Sequence, residues 1–182
     1  MIIDIIDDAK IGVEVVEMNN PKVRYASRGI VFDESGKIAV FHKANKNEYK
    51  LPGGGVEENE DKKEAFKREV LEEVGCEVEI VEELGTIEEH KSQTNFKQIS
   101  SVFVAKVTKN THELHLTEKE KAEGSELLWL EIDDAKKYIE DSFDKLKASP
   151  FDPTINGYES VYMTKFIIKR DARIIDYYLN KK

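Results

Sequence analysis

Apolar and polar residues alternate with a period of two along several stretches of this chain and recur at helical spacing along others. Residues 24–43 hold two β-rich runs around the turn residues Asp33, Glu34, Ser35 and Gly36, which predicts a hairpin. A short strand near 49–51 leads into Gly53, Gly54 and Gly55. A helix is expected over about 61–74: Asp61 suits the N-cap, Glu64 would complete a capping box, and Gly75 ends the run as a C′ glycine does. Two long β-rich runs follow at 76–91 and 96–108, the second alternating around Ile99, Val102 and Val104. Residues 126–132 read as a further strand, 133–143 as a short helix and 148–157, with Pro and Gly, as a loop. A longer helix spans about 159–179, with Val161, Phe166, Ile167, Ile168, Ile174, Ile175 and Tyr178 on its apolar face. Strands interleaved with helices predict a layered α/β domain.

The chain's 182 residues, 40% hydrophobic and 36% charged, suit one domain over 1–182, with an N-terminal extension at 1–22 and the C-terminal helix. The single cysteine, Cys76, leaves no internal disulfide framework or Cys-rich zinc site, and suits a reducing compartment, so a cytoplasmic location is expected. The start of the chain is interrupted by Asp4, Asp7 and Asp8 and does not read as a signal peptide. No apolar run approaches the roughly 20 residues that span a bilayer, and no membrane association is expected.

Charge changes the picture more than composition does. Residues 57–92 carry fourteen Asp or Glu against five Lys or Arg, so this segment alone accounts for the formal charge of -9. Such a balance argues against nucleic acid as a partner, whereas a local acidic patch could hold cations. At about 100° per residue, Glu69, Glu72 and Glu73 fall within an arc of roughly 100°, beside an apolar arc of Phe66, Val70 and Val74. Side chains three and four apart repel when like-charged, and a hard divalent cation among the carboxylates would relieve that repulsion. Oxygen-rich sites select Mg²⁺ or Mn²⁺. Gly53, Gly54 and Gly55 let the backbone pass close to a ligand or metal.

These residues resemble the Nudix box: Gly54, Glu60, Arg68, Glu69, Val70, Glu72, Glu73, Gly75 and Cys76 fill every fixed position, with Cys76 a mildly unusual apolar residue. The resemblance implies an α/β/α sandwich around a mixed sheet. It also implies Mg²⁺-dependent hydrolysis of a nucleoside diphosphate linked to another moiety, hence a small nucleotide-derived substrate. On this resemblance Glu69, Glu72 and Glu73 are metal ligands with the Gly53 carbonyl, Glu60 binds metal through water or holds the loop, and Arg68 orients a carboxylate. The general base is open. Glu69 could serve, as could an acid of the segment 118–126, read as a loop, of which Glu120 is the choice because it lies near the middle.

The rival reading is a non-catalytic Nudix-type nucleotide sensor or partner-binding module; the retained Glu69, Glu72 and Glu73 speak for the enzyme. His112 and His115 have a metal-like spacing but no further His or Cys to close a site, and His42 and His90 are unsupported as bases. Arg24, Arg28, Lys43 and Lys50 flank the box and are expected to face solvent, although any could meet a phosphate. The basic residues within 166–179 are expected to be structural. Nothing identifies an interface, so a homodimer stays open, and so does the particular substrate, because specificity would come from loops outside the box.

Overall fold

The computed structural model describes residues 1–111 and 113–181. The expected hairpin is present as β2 (Lys22–Phe32) and β3 (Ile38–Lys43), joined by a turn in which Asp33 Oδ1 accepts from the Ser35 and Lys37 N–H groups. Only Phe32 and Ile38 pair across it, however. Over its whole length β2 lies parallel to β7 (Phe96–Asn110), from Lys22↔Phe96 to Phe32↔Lys106. β7 is antiparallel to β6 (Cys76–Lys91), and β6 in turn is parallel to β1 (Ile2–Asp7). Residues 2–7, within the expected N-terminal extension, are thus the edge strand of the same sheet. β3 carries β4 (Glu48–Lys50) and β8 (Ser125–Leu130), and β5 (Gly53–Gly55) pairs with β2. The eight strands form one mixed sheet in the order β1-β6-β7-β2-β3-β4, with β5 and β8 off this path.

Both faces of the sheet are covered, and strand alternation divides the core in two. Ile30, Val40, Val102 and Val104 join the cluster under α3 (Ile132–Ser142) and α4 (Tyr158–Lys181), to which Ile139, Phe166 and Ile174 contribute. Their neighbours Val31, Ala39, Phe103 and Ala105 point the other way, against Phe66, Val70 and Val74 of α1 (Lys62–Val74). The Phe66 and Phe103 rings stack at 5.4 Å. The architecture is therefore an α/β/α sandwich around a mixed sheet, as expected.

Three local expectations are corrected. Asp61 does cap α1, accepting from the Lys63 N–H at 2.8 Å, but Glu64 pairs with Lys67 and closes no capping box onto it. Residues 118–122, within the segment read as a loop, form the short helix α2 (Glu118–Ala122), whose capping box joins Thr117 and Glu120. The glycine run is a strand, β5, in its own right. No helix among the described residues is long and apolar enough to cross a membrane.

Candidate active site

The site is assembled where α1 meets β5. Gly55, Gly54 and Gly53 pair with Ala26, Ser27 and Arg28 of β2, and Ser27 Oγ donates to the Lys62 carbonyl at 2.7 Å, tying β2 to the first turn of α1. Gly75, at φ 67°, ends α1 in the left-handed region that glycine favours. Beyond β7 the chain returns to this end: the Thr111 and His115 N–H groups donate to the Gly75 and Glu72 carbonyls, both at 2.8 Å.

Along α1 the three box carboxylates differ in burial. Glu73 is buried, while Glu69 and Glu72 are partly exposed. Glu73 Oε2 accepts from the Gly53 N–H at 2.9 Å and Oε1 from Lys50 Nζ at 2.7 Å, so the carboxylate holds the glycine strand against the helix. Glu69 lies against Gly54, where a Cβ would stand 2.4 Å from its carboxylate and displace it. Burial pushes the Glu69 carboxyl up, Arg68 opposes this, and Glu73 and Glu72 add repulsion.

Arg68 joins the loop to the helix. Its Nε and Nη2 donate to the two oxygens of Glu60 at 2.8 and 3.0 Å, the bidentate geometry that suits a guanidinium. Nη1 donates to Glu69 Oε1 at 2.9 Å and reaches Glu72 Oε2 at 3.4 Å, while Nη2 also donates to the Gly55 carbonyl at 3.0 Å. The Arg68 hydrogen bonds, with one from the Glu57 N–H, hold the Glu60 carboxyl below its ordinary range. Among the described residues, no three His, Cys, Asp or Glu side chains converge into a ready-made metal site. In this arrangement Arg68 stands between Glu60, Glu69 and Glu72, and Lys50 occupies Glu73.

A cavity of about 320 Å³ opens beside these residues, bordered by Gly53, Gly54, Gly55, Glu69 and Glu73 on one side and by α4 on the other. Of the four acids considered in the 118–126 segment, Glu120 alone borders this cavity, and its Oε2 is engaged by the N–H and Oγ1 of Thr117. Glu118 pairs with Lys121, Glu123 with Lys43 and Ser149, and Glu126 with His42. His42 and His90 stand against Glu126 and Glu88 away from the cavity, His115 is exposed, and His112 lies outside the described residues.

The expectation of solvent-facing cations next to the box is corrected for three of four. Arg24 is exposed, but Arg28 is buried, and the Lys43 and Lys50 side chains are largely enclosed by their partners Glu123 and Glu73. The α4 residues Met163, Ile167 and Arg170 border the cavity; sequence reasoning gave Ile167 and Arg170 only a structural role and did not single out Met163. The available signal was the adjacent pair Arg170 and Asp171, charged residues set on the helix face that carries Phe166, Ile174 and Ile175.

The sandwich and its site define a class before they define a family. Solved structures with this fold include the MutT protein from Methanosarcina mazei Go1, with TM-score 0.52 and 20% identity over 90% of this chain and 99% of that one. A NUDIX hydrolase from Nitrosomonas europaea matches with TM-score 0.54 and 18% identity over 64% and 78% of the two chains. A MutT NUDIX hydrolase from Burkholderia pseudomallei gives 0.51 and 19% over 62% and 85%. No match is found among curated proteins. The family model of the NUDIX domain matches residues 22–150, and the chain belongs to this family of hydrolases acting on phosphoric anhydrides.

Proposed function

We propose that the protein hydrolyses the diphosphate linkage of a nucleoside diphosphate joined to another moiety, using Mg²⁺ or Mn²⁺. The observation that carries this reading is the cavity that Gly53, Gly54, Gly55, Glu69 and Glu73 share, with Glu69 seated where a Cβ on Gly54 would displace it. The donor chemistry fits a hard cation: carboxylate and carbonyl oxygens, with a carboxyl at Glu69 whose ionised form burial disfavours until positive charge is supplied. Glu69, Glu72 and Glu73, with Glu60 and the Gly53 carbonyl, would hold the ion. Bound there, it would neutralise phosphoryl oxygens and lower the pKa of a coordinated water.

The remaining tasks belong to the chain itself. Arg68 fixes Glu60 and Glu69 relative to each other, and Lys50 with the Gly53 N–H fixes Glu73. Glu69, which borders the cavity beside the box glycines, takes the proton of the attacking water. Glu120 is the second reading for that role because it borders the same cavity. The acidic band of residues 57–92 argues against nucleic acid as substrate, and the lone, buried Cys76 suits the cytoplasm.

Purified protein is assayed with Mg²⁺ or Mn²⁺ against nucleotides, nucleotide sugars and dinucleoside polyphosphates. Glu72→Gln, at a partly exposed position, is expected to stay folded and lose about a hundredfold or more in turnover. Glu69→Gln is expected to lose at least as much and Glu120→Gln less than tenfold. Near-normal turnover of Glu72→Gln at saturating metal would reject the acidic arc as the site, and a hundredfold loss in Glu120→Gln with substrate binding retained would move the base to α2.

A further inference from the structure

Beneath the cavity, on the side away from α1, lies a buried set of charges that hydrolysis at the box does not require. Arg28 of β2, Lys91 of β6 and Arg170 of α4 are 5%, 3% and 1% exposed, and all three border the cavity. The carboxylates among them are Glu89 and Asp171, each 0% exposed. Arg170 donates from Nε to Asp171 Oδ1 at 2.7 Å and from Nη1 to Glu89 Oε2 at 2.9 Å, and Lys91 Nζ lies 3.0 Å from Glu89 Oε1. Asp171 Oδ2 accepts from the Leu51 N–H, and Gln98 Nε2 donates to Glu89 Oε2. Arg28 donates from Nε to Ser100 Oγ at 3.1 Å, a neutral partner.

Three positive charges thus meet two negative ones, none of them more than 5% exposed, while Lys50 and Glu73 form an ion pair of their own. Buried charge without a counter-charge is unfavourable unless something supplies one. Two observations locate where it is missing. Arg170 Nη2 is buried and has no hydrogen-bond partner among the described residues; Glu89 Oε1 also lacks a hydrogen bond but has Lys91 beside it. Arg28 donates from Nε only to the neutral Ser100 hydroxyl and takes part in no ion pair among the described residues.

We propose that this floor is an anion subsite that seats a terminal phosphate of the substrate, so that preferred substrates carry a free phosphoryl end beyond the bond that is cleaved. The inference rests on the hydrolase reading for its substrate, but the subsite itself does not. Its occupant is a compact anion because the floor is closed by guanidinium and ammonium groups. Among the described residues, the only apolar side chains bordering the cavity, Met163 and Ile167, come from α4, and no aromatic ring borders it. A nucleoside or sugar at this end would set rings and hydroxyls against buried cations. A phosphate offers oxygens to Arg28, Lys91 and the unpartnered Arg170 Nη2. Nucleotide sugars and dinucleoside polyphosphates, capped at both ends, fit this floor less well than nucleoside triphosphates.

The test uses inorganic phosphate on the whole protein in EDTA, at fixed pH and ionic strength, so that no metal takes part. A saturable rise in the thermal midpoint is expected, about 3–6 °C at tenfold excess over half-saturation, with no rise in matched chloride. Arg28→Gln should abolish it and should raise KM at least tenfold for the best substrate with a free phosphoryl end. Should Arg28→Gln fail to fold, Ile167→Trp, at a half-buried position on the cavity wall, leaves the charges in place and should abolish the shift by filling the space. A phosphate response no larger than that of chloride would overturn the subsite. So would a best substrate capped at both ends whose KM is unmoved in Arg28→Gln. Phosphate binding without hydrolysis of any anhydride would uphold the subsite and reject the hydrolase reading alone.

Discussion

Gly53 and Gly54 are adjacent in β5, yet a methyl group would meet different obstacles at the two positions. At Gly54 the added carbon would stand 2.4 Å from the Glu69 carboxylate, the mobile end of a side chain, which can swing aside. At Gly53, where φ is 134°, it would stand 2.3 Å from the Ser27 carbonyl oxygen, which belongs to the paired backbone of β2. Gly54→Ala is therefore expected to lose less than about 1 kcal/mol of stability but about a hundredfold in turnover, since displacement of a catalytic group by about 1 Å costs that much. Gly53→Ala should lose roughly 3 kcal/mol or more, because strain and a backbone collision add. Urea unfolding and turnover, measured on both, check the contrast; equal stability losses would contradict it. A similar division separates Glu72 from Glu73. Glu73→Gln strands the enclosed Lys50 ammonium and should cost roughly 3 kcal/mol, whereas Glu72→Gln should cost less than about 0.5 kcal/mol.

At the scale of elements, α1 is held by a cap at one end and a left-handed glycine at the other, and the cap can be tested alone. Asp61→Ala removes the oxygen that accepts the Lys63 N–H and should lower stability by about 1 kcal/mol, seen as a lower urea midpoint at unchanged slope. No change would show that the first turn is held by the Ser27 bond to Lys62 instead. Both ends of α1 were legible because caps are local: Asp61 and Gly75 act within one turn. The hairpin was legible for the same reason, and the extent of β6 was read to the residue from 76 to 91. The parallel partners β1 with β6 and β2 with β7 were not legible, since their registers join distant residues and no tight turn specifies them. Among candidate site residues, the acidic arc of Glu69, Glu72 and Glu73 could be read from helical spacing, while Glu60, Arg68 and Gly53 came from the resemblance to the Nudix box. Arg28, Lys91 and Arg170 could not be read, because a charged side chain reads as solvated until the fold supplies Ser100, Glu89 and Asp171 as partners.

Over the whole molecule, buried carboxylates of opposite behaviour set how stability depends on pH. Burial alone would push Glu89 up, but Arg170, Lys91 and Arg28 overcome it and hold the group well below the usual carboxylate range. Glu48 is likewise held low, with burial opposed chiefly by Lys46 and Lys43. Folded values depressed in this way contribute stability that is present above the unfolded pKa of about 4.3 and is lost as pH falls through the folded values. Glu69 has the opposite sign. Burial raises its folded pKa, so its ionised form costs stability at neutral pH, and the cost fades as pH falls from that raised value toward the unfolded one. The thermal midpoint in EDTA should therefore rise slightly from pH 8 to about 5 and fall below about 4.5. Glu69→Gln should reduce the rise and leave the fall in place. Millimolar Mg²⁺ should raise the midpoint at pH 8 more than at pH 5 in the wild type, and more in the wild type than in Glu69→Gln. A midpoint that drops steadily from pH 8 downward, or an equal Mg²⁺ response in wild type and mutant, would show that Glu69 carries no such charge penalty and that the cation acts elsewhere.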